Sequence, residues 1–98
     1  YLKKHGHEIL EHNYKTKYYE IDIVSQKNGK LYFTEVKYRK NTKYGAPLEM
    51  ITSKKQEQMK FAAGCYLKTH PAYKKAECVL AAAAVSGPDF EIEDWFEI

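Results

Sequence analysis

The chain has 98 residues, of which 44% are apolar and 30% are charged, and its formal net charge is +3. This length suits a single compact domain over residues 1–98, and no apolar segment approaches the roughly 20 residues of a membrane helix. The composition therefore indicates a soluble globular domain, and we expect no membrane partner.

The first half of the sequence predicts the end of a helix and then three antiparallel strands. The segment YLKKHG places lysines and then Gly6 where a helix C-terminus would be capped. Because the chain starts there without Met, we expect part of the N-terminal helix to be missing. HEILEHNY and YYEIDIVSQ predict two strands, and the pair Asn28-Gly29 favours a tight hairpin that leads into a third strand, LYFTEVKY.

The second half predicts a helix, a buried strand and a short closing segment. After the polar loop RKNTKYGAP, Ser53 can cap a helix with Gln56 three residues later, and Pro71 ends this helix near His70. Its apolar stripe comprises Met59, Ala62, Ala63, Tyr66 and Leu67. The run CVLAAAAV suits a strand buried on both faces. FEIEDWFEI suits an edge strand or a final amphipathic turn.

The order of elements is therefore helix, three-strand meander, helix and strand, written αβββαβ. The second helix is predicted to cross over and to place the fourth strand parallel to the third. The predicted class is α/β, with a mixed sheet flanked by helices.

Basic residues are concentrated away from the C-terminus. All sixteen lysines and arginines precede residue 86, whereas five of the thirteen acidic residues follow residue 85. Between Lys27 and Lys43, six basic residues surround a single acid, Glu35. This distribution favours a polyanionic partner such as nucleic acid, and a solvated loop is the alternative.

The two cysteines, Cys65 and Cys78, form neither a C-x-x-C pair nor a zinc-binding pattern with histidines. We predict that both are reduced thiols in the core. Reduced thiols are typical of cytoplasmic proteins, so the expected localisation is cytoplasmic.

Two acids and a lysine occupy the predicted hairpin in a pattern that suggests chemistry. A turn centred on Asn28-Gly29 places Asp22 directly opposite Glu35, with side chains ~5 Å apart. Two carboxylates at that distance repel each other unless a cation lies between them, and their hard oxygen atoms suit Mg²⁺ or Mn²⁺. Lys37 follows Glu35 by two residues and shares its face, where it can reach a phosphate oxygen or an attacking water.

A structural ion pair between Lys37 and one of the acids explains the same spacing. That alternative leaves the second carboxylate without a partner beside a core face, where an unpaired charge is costly. The spacing therefore favours a site but leaves both interpretations open.

The order Asp22, then Glu35-x-Lys37, resembles the PD-(D/E)XK nuclease superfamily, which has the restriction-endonuclease-like fold. YLKKHGHEILEHNYKTKYYEIDIV, FTEVKYR and YGAPLEMITSKKQEQMKFAAGCYL resemble the YraN family of nuclease-like bacterial proteins. The resemblance covers nearly the whole chain.

The resemblance implies specific roles for the residues of this motif. Asp22 and Glu35 would be catalytic metal ligands, Val36 would offer its backbone carbonyl to the same Mg²⁺ or Mn²⁺, and Lys37 would be the catalytic lysine. Glu20 matches the acid of the family's EID element and is a possible further ligand.

The sequence departs from the family pattern at three places. Tyr18 and Tyr19 replace the expected glycines before EID, and Ala76-Glu77-Cys78 replaces the usual Arg-x-Asp before the fourth strand. A further Glu, usual in the first helix, has no counterpart in this sequence.

Several residues near the motif are candidates for nucleic-acid contacts. Lysines and arginines bind phosphates, and tyrosines stack on bases. Lys55 also matches a lysine that is usual at this helix start in the family. The candidates are Tyr38, Arg39, Lys40, Lys43, Tyr44, Lys55 and Gln56.

The sequence thus predicts a metal-dependent endonuclease that hydrolyses phosphodiester bonds of nucleic acid, with branched or structured DNA as a candidate substrate. DNA is favoured over RNA as the partner, and a homodimer is an open alternative. A non-catalytic nucleic-acid-binding module of the same fold is the second interpretation, and a structural protein whose charges simply pair is the third.

Overall fold

Five strands form one mixed sheet in the order β1-β2-β3-β4-β5 in the computed structural model, which describes residues 1–38, 51–89 and 91–98. The α/β class and the mixed sheet are confirmed, and the C-terminal segment is an edge strand. The elements are β1 (Glu8–Lys15), β2 (Glu20–Lys27), β3 (Lys30–Tyr38), α1 (Ser53–Thr69), β4 (Glu77–Ser86) and β5 (Glu91–Glu97), with 3-10 turns at Lys3–His5 and Pro71–Tyr73.

The hairpin between β2 and β3 forms as its turn residues predict. Asn28 and Gly29 adopt φ values of 52° and 79°, the left-handed pair that a tight two-residue hairpin requires. This turn sets the register, and Ile23 pairs with Thr34. Strand β4 then runs parallel to β3, which confirms the predicted crossover.

The first residues differ from the predicted helix end. Lys3–His5 is a single 3-10 turn, and Gly6 closes it at φ 90°. The amide of His5 donates to the carbonyls of both Tyr1 and Leu2, at 3.2 and 3.0 Å. This shared bond is the tightened form that terminal turns adopt.

Helix α1 covers one face of the sheet with the predicted stripe. Met59, Ala62, Ala63 and Tyr66 are buried on it. The core cluster beneath comprises Ile21, Val24, Leu31 and Phe33 together with Ala62, Ala63 and Tyr66. The position of this stripe around the helix determines which residue of the first helical turn faces the sheet. That residue contributes to the candidate site.

The helix begins one residue earlier than its sequence suggested. Thr52, not Ser53, is the N-cap, and its side chain accepts a hydrogen bond from the Lys55 amide at 3.1 Å. Both residue types can cap a helix, so the choice depends on packing. Ile51 is buried in a cluster with Met59, which positions the next residue, Thr52, at the cap.

We expect Thr52→Ala to lower the free energy of unfolding by about 1 kcal/mol, since it removes the side-chain acceptor from the helix start. Ser53→Ala is the matched control and should change stability by a few tenths of that amount. Urea unfolding followed by circular dichroism measures both. A larger loss in Ser53→Ala than in Thr52→Ala would contradict the assigned cap.

The structure also gives the burial of the two cysteines and the character of the described helices. Both thiols are free, but neither cysteine is fully buried as predicted: Cys65 is partly buried, and the core prediction is wrong for Cys78, which is exposed. It lies near the start of β4, whose first two residues are exposed whereas its middle is buried. No helix in the described part of the chain is long and apolar enough to cross a membrane.

Candidate functional site

Strands β2 and β3 separate at the predicted acidic pair. Their paired residues extend only to Ile23 and Thr34, and the same register would place Asp22 opposite Glu35. One carboxylate oxygen of Asp22, Oδ2, accepts the amide hydrogen of Val36 at 2.7 Å. The Asp22 side chain therefore takes the position of a backbone partner and lies in the gap between the strands.

Glu35 lies where the helix-facing row of β3 leaves the core. Phe33, the preceding member of this row, is only 2% exposed, whereas the side chains of Glu35 and Lys37 are 12% and 36% exposed. A strand aims alternate residues at the same face, so the chain can bury Phe33 only by turning Glu35 toward helix α1 as well.

Two lysines approach the Glu35 carboxylate from different elements. Lys55 Nζ lies 3.2 Å from Oε2, and Lys37 Nζ lies 3.8 Å from Oε1. Lys55 precedes Met59 by four residues, so it occupies the sheet-facing side of the first helical turn. The packing of helix α1 on the sheet therefore places the Lys55 ammonium group beside the inward-facing Glu35 carboxylate.

The surroundings of Glu35 disfavour the ionised form of its carboxyl group. Burial raises the pKa of Glu35, and the negative charge of Asp22 raises it further, while Lys55 and Lys37 lower it. Desolvation is the largest of these effects, so the two ion pairs only partly offset the cost. An acid in this condition gains from a further cation.

We expect Glu35→Gln to stabilise the metal-free protein at pH 7. A raised pKa means that the folded state holds the proton more tightly than the unfolded chain, whose pKa is 4.5. Ionisation therefore removes stability as the pH rises above that value, and the amide avoids this loss.

Urea unfolding in EDTA between pH 4 and pH 8 tests this expectation. The advantage of Glu35→Gln should disappear below the unfolded-state pKa. Glu57→Gln is the matched control, since Glu57 also pairs with a lysine, Lys60 at 3.4 Å, but is 74% exposed. A destabilised Glu35→Gln at pH 7 would show that the ion pairs outweigh burial.

A small cavity joins the acids. Glu20, Asp22 and Glu35 line it together with Met59, and its volume is ≈ 10 Å³. Glu20 is 65% exposed and pairs with Lys15 at 3.5 Å, so it borders the cavity from the solvent side. Within the described ranges, no three His, Cys, Asp or Glu side chains form a group that could hold a metal ion.

The sequence from residue 1 to residue 86 matches the profile of "Uncharacterised protein family UPF0102". The chain belongs to the UPF0102 family. A UPF0102 protein of Syntrophomonas wolfei is 44% identical over 73 residues, which cover 74% of this chain and 64% of that protein. This match confirms the resemblance to YraN-like proteins, and the relation to the PD-(D/E)XK superfamily stays a prediction.

Two further UPF0102 proteins are similar in sequence to this chain. The protein of Lachnoclostridium phytofermentans is 42% identical over 78 residues, covering 80% of this chain and 66% of the relative. That of Dictyoglomus thermophilum is 38% identical over 96 residues, covering 97% and 80%. The chain thus spans slightly less than two thirds of the length of the first two relatives.

The donor atoms of this UPF0102 chain are compatible with one divalent cation. Asp22 uses Oδ2 for the Val36 amide and retains Oδ1, and Glu35 contributes a second carboxylate. The C=O of a strand residue points to the same edge as its N–H, so the Val36 carbonyl faces the same gap. Such hard oxygen donors suit Mg²⁺ or Mn²⁺, with water completing the coordination.

The predicted nucleic-acid contacts are only partly described. Lys55 pairs with Glu35 instead of pointing away from the acids, and its neighbour Gln56 is half-buried. Tyr38 is 43% exposed, and its hydroxyl donates to the Gly87 carbonyl at 3.5 Å. The remaining candidates lie outside the described residues: Arg39, Lys40, Lys43 and Tyr44.

Sequence reasoning missed two exposed aromatic residues beside the acids. Tyr18 and Phe61 are 76% and 58% exposed and line one cleft with Glu20 and Met59. Phe61 follows Met59 by two residues, which places it off the apolar stripe. A large aromatic side chain on the polar face of a helix was the signal available in the sequence.

Proposed function

We propose that this chain is a metal-dependent nuclease with a restriction-endonuclease-like core, which hydrolyses phosphodiester bonds and prefers DNA to RNA. The observation that carries the proposal is the arrangement at the gap between β2 and β3. Asp22 is fixed there by the Val36 amide, and burial and the charge of Asp22 raise the pKa of Glu35. Lys37 lies 3.8 Å from Glu35, and its side chain is 36% exposed.

The proposed mechanism assigns a separate task to each residue. When bound, Mg²⁺ or Mn²⁺ would polarise the scissile phosphate and lower the pKa of a bound water. Asp22 and Glu35 would hold that cation, and the Val36 amide would keep Asp22 in position. Lys37 would exchange its long contact with Glu35 for a phosphate oxygen and stabilise the charge that develops there.

A second candidate is a nucleic-acid-binding module without catalysis. The observation in its favour is that Glu35 already has two cationic neighbours, at 3.2 and 3.8 Å. Lysine ammonium groups can stabilise the charge of a carboxylate without any metal ion. In that case the protein should bind nucleic acid equally well in EDTA and never cleave it.

A cleavage assay on the full chain tests the proposal. Single-stranded, duplex and branched DNA and a matched RNA are each incubated with Mg²⁺, with Mn²⁺ or with EDTA. We expect cleavage of at least one DNA substrate that requires the metal and is lost in Asp22→Asn. Binding without cleavage of any substrate would support the non-catalytic module, and equal cleavage by Asp22→Asn would show that the activity has another source.

A further inference from the structure

A broad cleft adjoins the acidic cavity on the side of helix α1. Glu20 and Met59 line both, so the two are neighbours. The acidic cavity, at ≈ 10 Å³, is far smaller than a usual ligand pocket of roughly 300–1,000 Å³. The cleft has a volume of ≈ 520 Å³, which lies within that range, so it has room for a group the size of a nucleoside.

The cleft is walled by the two most exposed aromatic side chains in the described part of the chain. Tyr18, from the turn between β1 and β2, is 76% exposed, and Phe61, from α1, is 58% exposed. The edge of Phe61 meets Tyr19 with ring centroids 6.5 Å apart, which leaves Phe61 largely uncovered. Exposed rings that line one cleft are a feature of sites that stack planar ligands.

Cations accompany these rings. Lys54 and Lys55 line the cleft, and Lys17 Nζ lies 5.7 Å from the centre of the Tyr18 ring. Lys54, Gln58 and Phe61 are spaced at i, i+4 and i+7, so they share one helix face. Among the described residues, Lys54 has no ion-pair partner.

The acids of the cleft do not cancel this charge. Glu20 pairs with Lys15 at 3.5 Å, and Glu57 pairs with Lys60 at 3.4 Å. Neither of those lysines is among the residues lining the cleft. The lining holds two lysines and two acids. Because Lys55 pairs with Glu35, Lys54 and the bordering Lys17 are the cations left for a ligand.

We propose that this cleft binds an unpaired, single-stranded segment of nucleic acid. Tyr18 and Phe61 stack on exposed bases, and Lys17 and Lys54 contact the phosphates. Aromatic rings bind unpaired bases with little sequence preference, whereas bases within a duplex have no free face to offer them. The inference rests on the proposed nuclease function, and it identifies the substrate as one with a single-stranded portion entering beside Asp22 and Glu35.

Binding measured in EDTA tests this inference without any cleavage. Fluorescence anisotropy is recorded for labelled pyrimidine oligonucleotides of about 12 nucleotides, as DNA and as RNA, and for a DNA duplex of the same length. We expect Tyr18→Ala and Phe61→Ala each to raise the Kd for the single strands by about tenfold, with little effect on the duplex. Tyr18→Phe, which keeps the ring, should bind like the wild type.

Tyr1→Ala is the matched control, because Tyr1 is 44% exposed and lies outside the cleft. It should leave the Kd unchanged. Equal losses for single strand and duplex, unchanged binding by both alanine variants, or a wild type that binds no single strand would each overturn the inference.

A separate cleavage assay with Mn²⁺ keeps the two proposals apart. Cleavage by the wild type with unchanged binding by the cleft variants would reject the cleft and retain the nuclease. Stacking-dependent binding without cleavage would retain the cleft and reject catalysis.

Discussion

Lys37→Ala should slow single-turnover cleavage by about 100- to 1,000-fold, the loss typical of removing one preorganised charge at a transition state. Lys37 lies 3.8 Å from Glu35 and is 36% exposed, so its ammonium group can reach a phosphate held between the strands. Affinity for the substrate should change by only one phosphate contact, because the charge acts mainly on the transition state. Cleavage and affinity are measured on the same preparation with Mn²⁺ present.

The competing structural role predicts a different result for the same variant. If Lys37 only neutralises Glu35, its removal should lower the melting temperature in EDTA and leave the cleavage rate unaffected. Lys30→Ala is the matched control, since Lys30 starts the same strand and pairs with Glu77 at 3.7 Å, far along β3 from the acids. Cleavage by Lys37→Ala at the wild-type rate would end its catalytic assignment.

Tyr66→Ala should lower the free energy of unfolding by about 3–5 kcal/mol, the range for deleting a large buried aromatic side chain. Tyr66 is 1% exposed and packs edge-on against Phe33 and Tyr14, with ring centroids 5.7 and 5.5 Å away. Its hydroxyl also donates to Glu11 at 3.3 Å. A domain of this size has roughly 5–15 kcal/mol of stability in total, so this loss removes a large part of it.

The same helix offers a close control for this change. Phe61→Ala deletes a ring of similar size that is 58% exposed, and it should stay within about 0.5 kcal/mol of the wild type. Tyr66→Phe removes only the hydroxyl and should cost about 1 kcal/mol. Urea unfolding at pH 7 measures all three, and similar losses for Tyr66→Ala and Phe61→Ala would contradict the assigned core.

The hairpin was predictable because its register depends on local chemistry. Asn28 and Gly29 favour a two-residue turn, and this turn alone sets Ile23 opposite Thr34. The helix stripe was predictable for a similar reason, since a period of 3.6 residues identifies the buried side. Local signals were sufficient for both elements.

The site was predicted less completely, because its geometry depends on contacts between distant elements. The hairpin register brings Asp22 near Glu35, but nothing in the local sequence shows the strands separating so that Asp22 accepts the Val36 amide. The resemblance singled out Lys55 as matching a family lysine, whereas its ion pair with Glu35 follows from how α1 packs on the sheet.

The helix cap shows the same limit on a smaller scale. Thr52 and Ser53 are both good capping residues, and the burial of Ile51 beside Met59 decides between them. Single-sequence patterns identify which residue types can act, and packing selects the one that does.

The most direct test of the metal site is a titration of the full chain with Mn²⁺. Calorimetry measures binding, and the melting temperature measures the effect on stability. A ligand that binds only the folded state raises its stability by mass action. If Asp22 and Glu35 share a cation, the wild type should bind Mn²⁺ and melt at a higher temperature in its presence, and Asp22→Asn, which can still accept the Val36 amide, should do neither. Equal binding and equal melting shifts in the wild type and in Asp22→Asn would contradict the central claim.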